Sequence, residues 1–118
     1  MKTLVIGAST NPDRYAFKAI KSLRQHNYDV IAHGLKSGLV ADVEIKTEWP
    51  VNEKIDTVTL YVGPKNQPEY IDRILDLKPR RIIFNPGTEN LALEQMANEA
   101  GIQCEEACTL VLLATNQY

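Results

Sequence analysis

Short apolar runs alternate with amphipathic segments of helical length along the whole chain. The runs are rich in β-branched residues, and several of them stop at a glycine or an asparagine, which is typical of strands buried on both faces. The pattern predicts strands at residues 3–7, 28–33, 43–45, 57–62, 81–84 and 102–105.

The segments between these strands carry apolar residues three and four positions apart, as in Ala16, Ala19, Ile20 and Leu23, so each has one buried helical face. We predict helices over residues 12–26, 68–77, 89–100 and 107–114. Strands that alternate with helices favour a parallel sheet covered on both faces by right-handed crossovers. The expected fold is therefore α/β, a Rossmann-like doubly wound, mainly parallel sheet of about five strands, formed by residues 1–118 as one domain.

Composition and charge exclude several classes of partner. The formal charge of −2 leaves no broad basic surface, so we expect no nucleic acid and no membrane as a partner. The first apolar run, Leu4 to Ile6, is too short for a signal peptide, and no run approaches the roughly 20 apolar residues of a membrane span. We therefore expect a cytoplasmic protein.

The sequence offers few groups for catalysis. Cys104 and Cys108 have no histidine nearby for a metal site, and we interpret them as two small buried thiols. A mixed disulfide between Cys108 and a thiol cofactor is the less favoured alternative. Only His26 and His33 exist, and no serine–histidine–acid arrangement or acid pair can be recognised. The pattern favours a binding protein over an enzyme and leaves catalysis open.

The loop that joins the first strand to the first helix, Gly7 to Tyr15, has the residues of an anion site. Gly7 allows a tight turn, after which the amides at the helix start can receive a phosphate. Ser9, Thr10 and Asn11 add side-chain donors, and Arg14 adds a charge-assisted contact. The alternative is that Ser9, Thr10 or Asn11 simply caps the helix.

The loop lacks the full dinucleotide fingerprint, because Ser9 and Pro12 stand where that pattern requires glycines. The second strand ends at His33-Gly34 instead of the acid that grips the ribose of NAD, and Lys36 follows it. A lysine at this position suits a phosphate better than a ribose diol. NAD is disfavoured, whereas a small NADP-type oxidoreductase subunit, with Lys36 at the 2′-phosphate, remains an alternative.

Four stretches together are typical of one known family. They are Gly7 to Ala16, His33 to Gly38, Val62-Gly63-Pro64 and Asn85 to Asn90. The chain resembles the stand-alone CoA-binding domain family, which is similar to the nucleotide-binding domain at the start of the succinyl-CoA synthetase α-subunit. The resemblance covers essentially the whole chain.

The resemblance implies coenzyme A or an acyl-CoA as the cofactor. It implies that Ser9 to Tyr15 wrap the phosphates, that Lys36 meets the 3′-phosphate or the diphosphate, and that Val62 to Pro64 border the adenine or pantetheine. Asn85 to Asn90 would close the far side of the cleft. His33 either meets a phosphate when protonated or, as is more common, simply occupies the end of the strand. The expected cofactor-binding residues are Gly7, Ala8, Ser9, Thr10, Asn11, Arg14, Tyr15, His33, Lys36, Val62, Gly63, Pro64, Pro86, Gly87, Glu89 and Asn90. Such a domain would act as a binding or regulatory module, alone, as a homo-oligomer or with a protein partner. The third alternative is a protein-interaction subunit with a vestigial pocket.

Overall fold

A computed structural model describes residues 1–118 and contains one mixed sheet of seven strands and four α-helices. The strands are β1 (Lys2–Ile6), β2 (Asp29–His33), β3 (Gly38–Val40), β4 (Val43–Lys46), β5 (Ile55–Leu60), β6 (Arg81–Phe84) and β7 (Gln103–Glu106). The helices are α1 (Tyr15–Gln25), α2 (Ile71–Leu77), α3 (Leu91–Glu99) and α4 (Thr109–Ala114). A 3₁₀ turn covers Pro64–Asn66.

The sheet has the order β3-β4-β2-β1-β5-β6-β7, and every pair is parallel except the β3–β4 hairpin. The predicted Rossmann-like fold is confirmed. The predicted count of about five strands is too low, chiefly because β3 has only three residues and lies outside every predicted strand. A run this short shows no alternation of its own and is fixed by its pairing with β4.

The sheet is buried on both faces by two separate apolar clusters. Ala16, Ile20 and Leu23 of α1 pack with Leu113 of α4 on one face. On the other face the cluster includes Ile74 of α2 and two residues of α3, Leu93 and Ala97. The strands between them read as continuous apolar runs because both of their faces are covered.

The chain leaves β1 in one direction along the sheet, through α1 to β2, and later resumes on the other side of β1 with β5. Ligand clefts of such sheets form where the order reverses, beyond the carboxyl ends of the strands. Here the loops after β1, β2, β5 and β6 meet at this end.

Ion pairs close the opposite, amino end of the sheet. Lys2 pairs with Glu53 at 3.1 Å, and Arg80 pairs with Asp56 at 2.9 Å. Arg81 is 4% exposed; it donates to the Thr57 hydroxyl, and its guanidinium lies 4.5 Å from the ring centre of Tyr118. No helix in the molecule is both long and apolar enough to cross a membrane.

Candidate functional site

A cleft of about 820 Å³ opens at the carboxyl end of the sheet, where the chain order reverses. This volume lies in the range of small-molecule and cofactor sites, roughly 300–1,000 Å³. Many of the predicted residues line it, namely Gly7, Ala8, Ser9, Thr10, Arg14, Tyr15, Lys36, Val62, Gly63, Pro86 and Gly87. Four separate loops therefore bring them together.

The floor of the cleft depends on two glycines that allow backbones to touch. Gly7 has a φ of +91°, and a Cβ there would lie 2.9 Å from the carbonyl oxygen of Tyr61. At Gly34 a Cβ would lie 2.4 Å from the carbonyl oxygen of Ala8. Any side chain at either position would push the loops apart.

The first amides of the loop after β1 are already bonded within the protein. Gly7 and Ala8 both donate their N–H groups to the carbonyl oxygen of His33, each at 3.0 Å. Further along, Asn11 donates its N–H to Ser9 Oγ, and Asp13 donates its N–H to Asn11 Oδ1, both at 3.0 Å. Ser9 and Asn11 thus satisfy the backbone of their own loop. The alternative that Ser9, Thr10 or Asn11 caps the first helix is wrong, because the residue before α1 is Arg14 and no side chain caps this helix.

The start of α1 is different, because its first-turn amides have no partner in the chain. The residue before the helix, Arg14, makes no side-chain cap, and the first turn contains no acid. The N–H groups of Tyr15, Ala16 and Phe17 make no hydrogen bond, and the first bonded helical amide is that of Lys18. Free amides and the helix dipole make this N-terminus a favourable position for an anion.

Two cations of the cleft have no ionic partner in the chain. Arg14 and Lys36 both line the cleft, are exposed and form no ion pair. Every other arginine has an ionic or aromatic partner. The positive charge of the cleft is therefore available to a ligand.

The other titratable groups of the cleft add little charge. Burial raises the pKa of Tyr61 to about 12, although the Thr59 and Thr109 hydroxyls lower it in part. Burial also raises the pKa of Tyr70. Both phenols are therefore neutral near pH 7. Glu69 is the one acid in the lining.

Five of the predicted residues lie outside the lining of the cleft. Asn11 serves its own loop, as described above. His33 is buried, with Nδ1 donating to the Glu48 carbonyl oxygen at 2.9 Å and its ring set edge-on against Trp49 and Tyr70. Pro64 begins the 3₁₀ turn.

The remaining two belong to the start of α3. Glu89 accepts a hydrogen bond from Gly87 N–H at 2.8 Å, which closes the turn after β6. Asn90 caps α3 by accepting from Leu93 N–H, and its Nδ2 donates to Gln67 Oε1 at 2.9 Å. In contrast to α1, this helix therefore begins with its N-terminus occupied.

Several lining residues escaped the sequence prediction. They are Ala16, Gly34, Leu35, Tyr61, Asn66, Glu69, Tyr70 and Thr88. Four of them, Ala16, Gly34, Leu35 and Thr88, lie within stretches that carried the family resemblance. Glu69 and Tyr70 follow β5 by almost ten residues, and only the path of the crossover to α2 brings them back over the cleft.

The cysteines lie apart from this site. Both are free and half-buried, and neither lines the cleft. Burial, together with the charge of Glu94, raises the pKa of Cys104 to about 11. No group of three or more histidine, cysteine, aspartate or glutamate side chains is placed to hold a metal ion.

The family model described as "CoA binding domain" matches residues 1–114. The chain therefore belongs to the CoA-binding domain family, as the sequence motifs predicted. No curated protein matches the chain.

Solved structures share this fold over nearly the whole chain. A crystal structure of an uncharacterized protein is 46% identical, with a TM-score of 0.95 over 99% of this chain and 97% of that one. A hypothetical protein from Pyrococcus horikoshii OT3 is 28% identical, with a TM-score of 0.83 over 92% of this chain and 78% of the other. A dinucleotide-forming acetyl-coenzyme A synthetase of Ca. Korarchaeum cryptofilum, in complex with phosphate and ADP, is 16% identical. Its TM-score is 0.72 over 90% of this chain and 25% of that enzyme, a similarity of fold.

Proposed function

We propose that the cleft binds coenzyme A, free or acylated, through its phosphates, and that the domain acts as a binding or regulatory module. The observation that carries the proposal is the unoccupied start of α1, with three unpartnered amides beside the unpaired Arg14. Family membership supports coenzyme A as the class of ligand, and the free amides of α1 support the phosphates as the part of the ligand that the protein holds.

The phosphates of coenzyme A suit the distribution of charge in the cleft. A diphosphate needs donors and positive charge at close range, and helix amides with an arginine provide both. The loop amides of Gly7 and Ala8 are bonded to His33, so we assign the diphosphate to the first turn of α1 rather than to the tip of β1. Ser9 and Thr10 line the path to that turn.

Lys36 has the position of a second phosphate contact. It follows β2 in a loop whose Gly34 touches the loop after β1, so its ammonium group is near the same cleft but on a different element from Arg14. We propose that Lys36 pairs with the 3′-phosphate of the ribose, the group that distinguishes coenzyme A from dephospho-CoA.

The side chains of the cleft suit binding rather than catalysis. The only imidazole nearby, that of His33, is buried with its Nδ1 committed to Glu48, and the phenols of Tyr61 and Tyr70 hold their protons tightly. The lining of the cleft therefore contains no imidazole for general acid–base catalysis. Arg14 and Lys36 orient and neutralise a ligand without transferring a proton.

Titration with coenzyme A, dephospho-CoA, NADP and ADP, followed by calorimetry, tests the proposal. We expect coenzyme A to bind most tightly. Lys36→Ala should weaken coenzyme A by about 1–3 kcal/mol, the scale of a charge-assisted hydrogen bond, and leave dephospho-CoA nearly unchanged. Lys54→Ala is the matched control, because Lys54 is also exposed and unpaired but belongs to the amino end of the sheet.

Equal losses for coenzyme A and dephospho-CoA would refute the role of Lys36. Preference for NADP over coenzyme A would favour the oxidoreductase alternative, in which the same lysine reads a 2′-phosphate. Absence of binding by all four ligands would contradict the function itself.

A further inference from the structure

Gln67 is fully buried in a segment whose neighbours are exposed. It is 0% exposed, whereas Asn66, Pro68 and Glu69 on either side face solvent. A buried amide is costly unless its donors and acceptor are all used. The side chain therefore has a structural reason to be inside, and its partners show what that reason is.

The Gln67 amide joins the two loops that form one wall of the cleft. Its Nε2 donates to the Val62 carbonyl oxygen at 2.9 Å and to the Thr88 carbonyl oxygen at 2.8 Å. Val62 belongs to the loop after β5 and Thr88 to the loop after β6, and both residues line the cleft. Gln67 itself does not line it.

The orientation of this amide is fixed by a chain of hydrogen bonds that ends in a backbone group. Leu93 N–H donates to Asn90 Oδ1, so Asn90 must present its Nδ2 group to Gln67. Gln67 must then present Oε1 to Asn90 and its Nε2 group to the two carbonyl oxygens. A flipped amide would oppose two acceptors with a third, so one orientation alone satisfies the network.

We propose that Gln67 is a positioning residue, which holds the loops after β5 and β6 at a fixed separation and so preorganises the cleft for its ligand. Asn90, the cap of α3, fixes the orientation of the Gln67 amide, so it affects the cleft although it does not line it. The inference rests on the proposed function for its effect on affinity, but its effect on the two loops stands without a ligand.

Preorganisation has a measurable consequence. A wall that is already ordered loses little conformational entropy when a ligand binds, whereas two independent loops must be ordered at that moment. Removing the Gln67 bridge should therefore loosen both loops together in the free protein and weaken any ligand that spans the cleft.

The test compares Gln67→Met with Thr3→Val. Methionine keeps the length and neutrality of the side chain, so the charge of the cleft does not change, but it cannot bridge the two carbonyl oxygens. Thr3→Val removes a buried hydroxyl that is bonded to Tyr118 at the amino end of the sheet, so it controls for a general loss of stability.

Hydrogen exchange of the ligand-free proteins is the first measurement. Gln67→Met should raise exchange in residues 61–66 and in residues 85–90 together, and Thr3→Val should raise it in neither. If Gln67→Met fails to fold, Asn90→Ser decides the matter, because serine still caps α3 but cannot reach Gln67. Increased exchange in only one of the two loops, or none, would overturn the proposal.

Titration with coenzyme A is the second measurement. Gln67→Met should lose about tenfold in affinity, and the loss should multiply with that of Lys36→Ala, since the two residues act on separate loops. If the wild-type protein binds no coenzyme A, the proposed function fails, while the exchange experiment still decides the role of Gln67. Tight binding by the wild type with unchanged binding by Gln67→Met would reject the positioning role alone.

Discussion

The two ends of the sheet differ in how their cations are paired, although the exposed Lys54 at the amino end also has no partner. At the amino end Lys2, Arg80 and Arg81 all have carboxylate partners. At the carboxyl end Arg14 and Lys36 have none, and the helix that begins beside them has no cap. The ion pairs at the amino end contribute to the stability of the fold, whereas Arg14 and Lys36 at the carboxyl end are the cations to which we assign a ligand in the proposed function.

The start of α3 sharpens the contrast within the carboxyl end. There the helix is capped by Asn90, and the nearby backbone carbonyls are bonded to Gln67. One wall of the cleft is thus internally satisfied and the other is left open. In the proposed complex, the start of α1 and its cations contact the ligand, and the loops after β5 and β6 fix the width of the cleft.

We expect the largest effect from Gly7→Val, a substitution in the cleft at the carboxyl end of the sheet. The φ of +91° is strained for a branched residue, and the new Cβ would meet Tyr61 O at 2.9 Å, so we expect a loss of about 3 kcal/mol in the free energy of unfolding. Coenzyme A binding should be abolished. Urea denaturation and calorimetry measure the two effects.

Gly101→Val is the control for this variant. Gly101 also has a positive φ, +83°, but a Cβ there would meet nothing within 4 Å. It should lose only the conformational part, about 1–2 kcal/mol, and bind normally. Tight binding by Gly7→Val would count against the whole cleft.

We expect an intermediate effect from Arg81→Met, which removes a buried cation at the amino end of the sheet. The buried guanidinium bonds to Thr57, faces Glu105 at 3.7 Å and stacks over Tyr118, and its loss should cost about 2–3 kcal/mol of unfolding free energy. Affinity for coenzyme A should not change. A loss of affinity as large as that of Lys36→Ala would show that the two ends are not independent.

The smallest expected effect is the pH dependence of stability that arises from Asp56 at the amino end of the sheet. The hydrogen bonds from Arg80 lower the pKa of Asp56, so this carboxylate stabilises the fold above its unfolded pKa, about 3.9, and the stabilisation disappears as pH falls through the lower folded value. Solvent screens the half-exposed Arg80, so the contribution is below about 1 kcal/mol.

Thermal unfolding between pH 6 and pH 2.5 measures this contribution. Arg80→Gln should flatten the decline of the melting temperature at the acid end, and an identical decline in both proteins would disprove the assignment.

Local patterns predicted the fold well because most strands and helices carry their own signals. The β-branched run of β5 and the spacing of Ala16, Ala19 and Ile20 each identify an element without help from the rest of the chain. The prediction started α2 at Pro68, whereas the helix begins at Ile71. The residues before it form a turn instead, closed by the hydrogen bond from Tyr70 N–H to the Gln67 carbonyl oxygen.

The candidate site was predictable in position but only partly in detail. Strand ends located the loops, and the glycines and cations located the side of the cleft to which we assign the phosphates. His33 could not be assigned in the same way, because its contacts with Glu48, Trp49 and Tyr70 come from distant parts of the chain. The sequence does not predict the burial of Gln67 either, because it depends on hydrogen bonds to residues 5 and 21 positions away.

The edges of the sheet have a consequence for the behaviour of the protein at high concentration. One edge, β3, is only three residues long, and the other, β7, ends in the adjacent acids Glu105 and Glu106. Short or charged edge strands disfavour the edge-to-edge pairing of two molecules through backbone hydrogen bonds. Both edges of this sheet are therefore poor templates for an added strand from a second molecule.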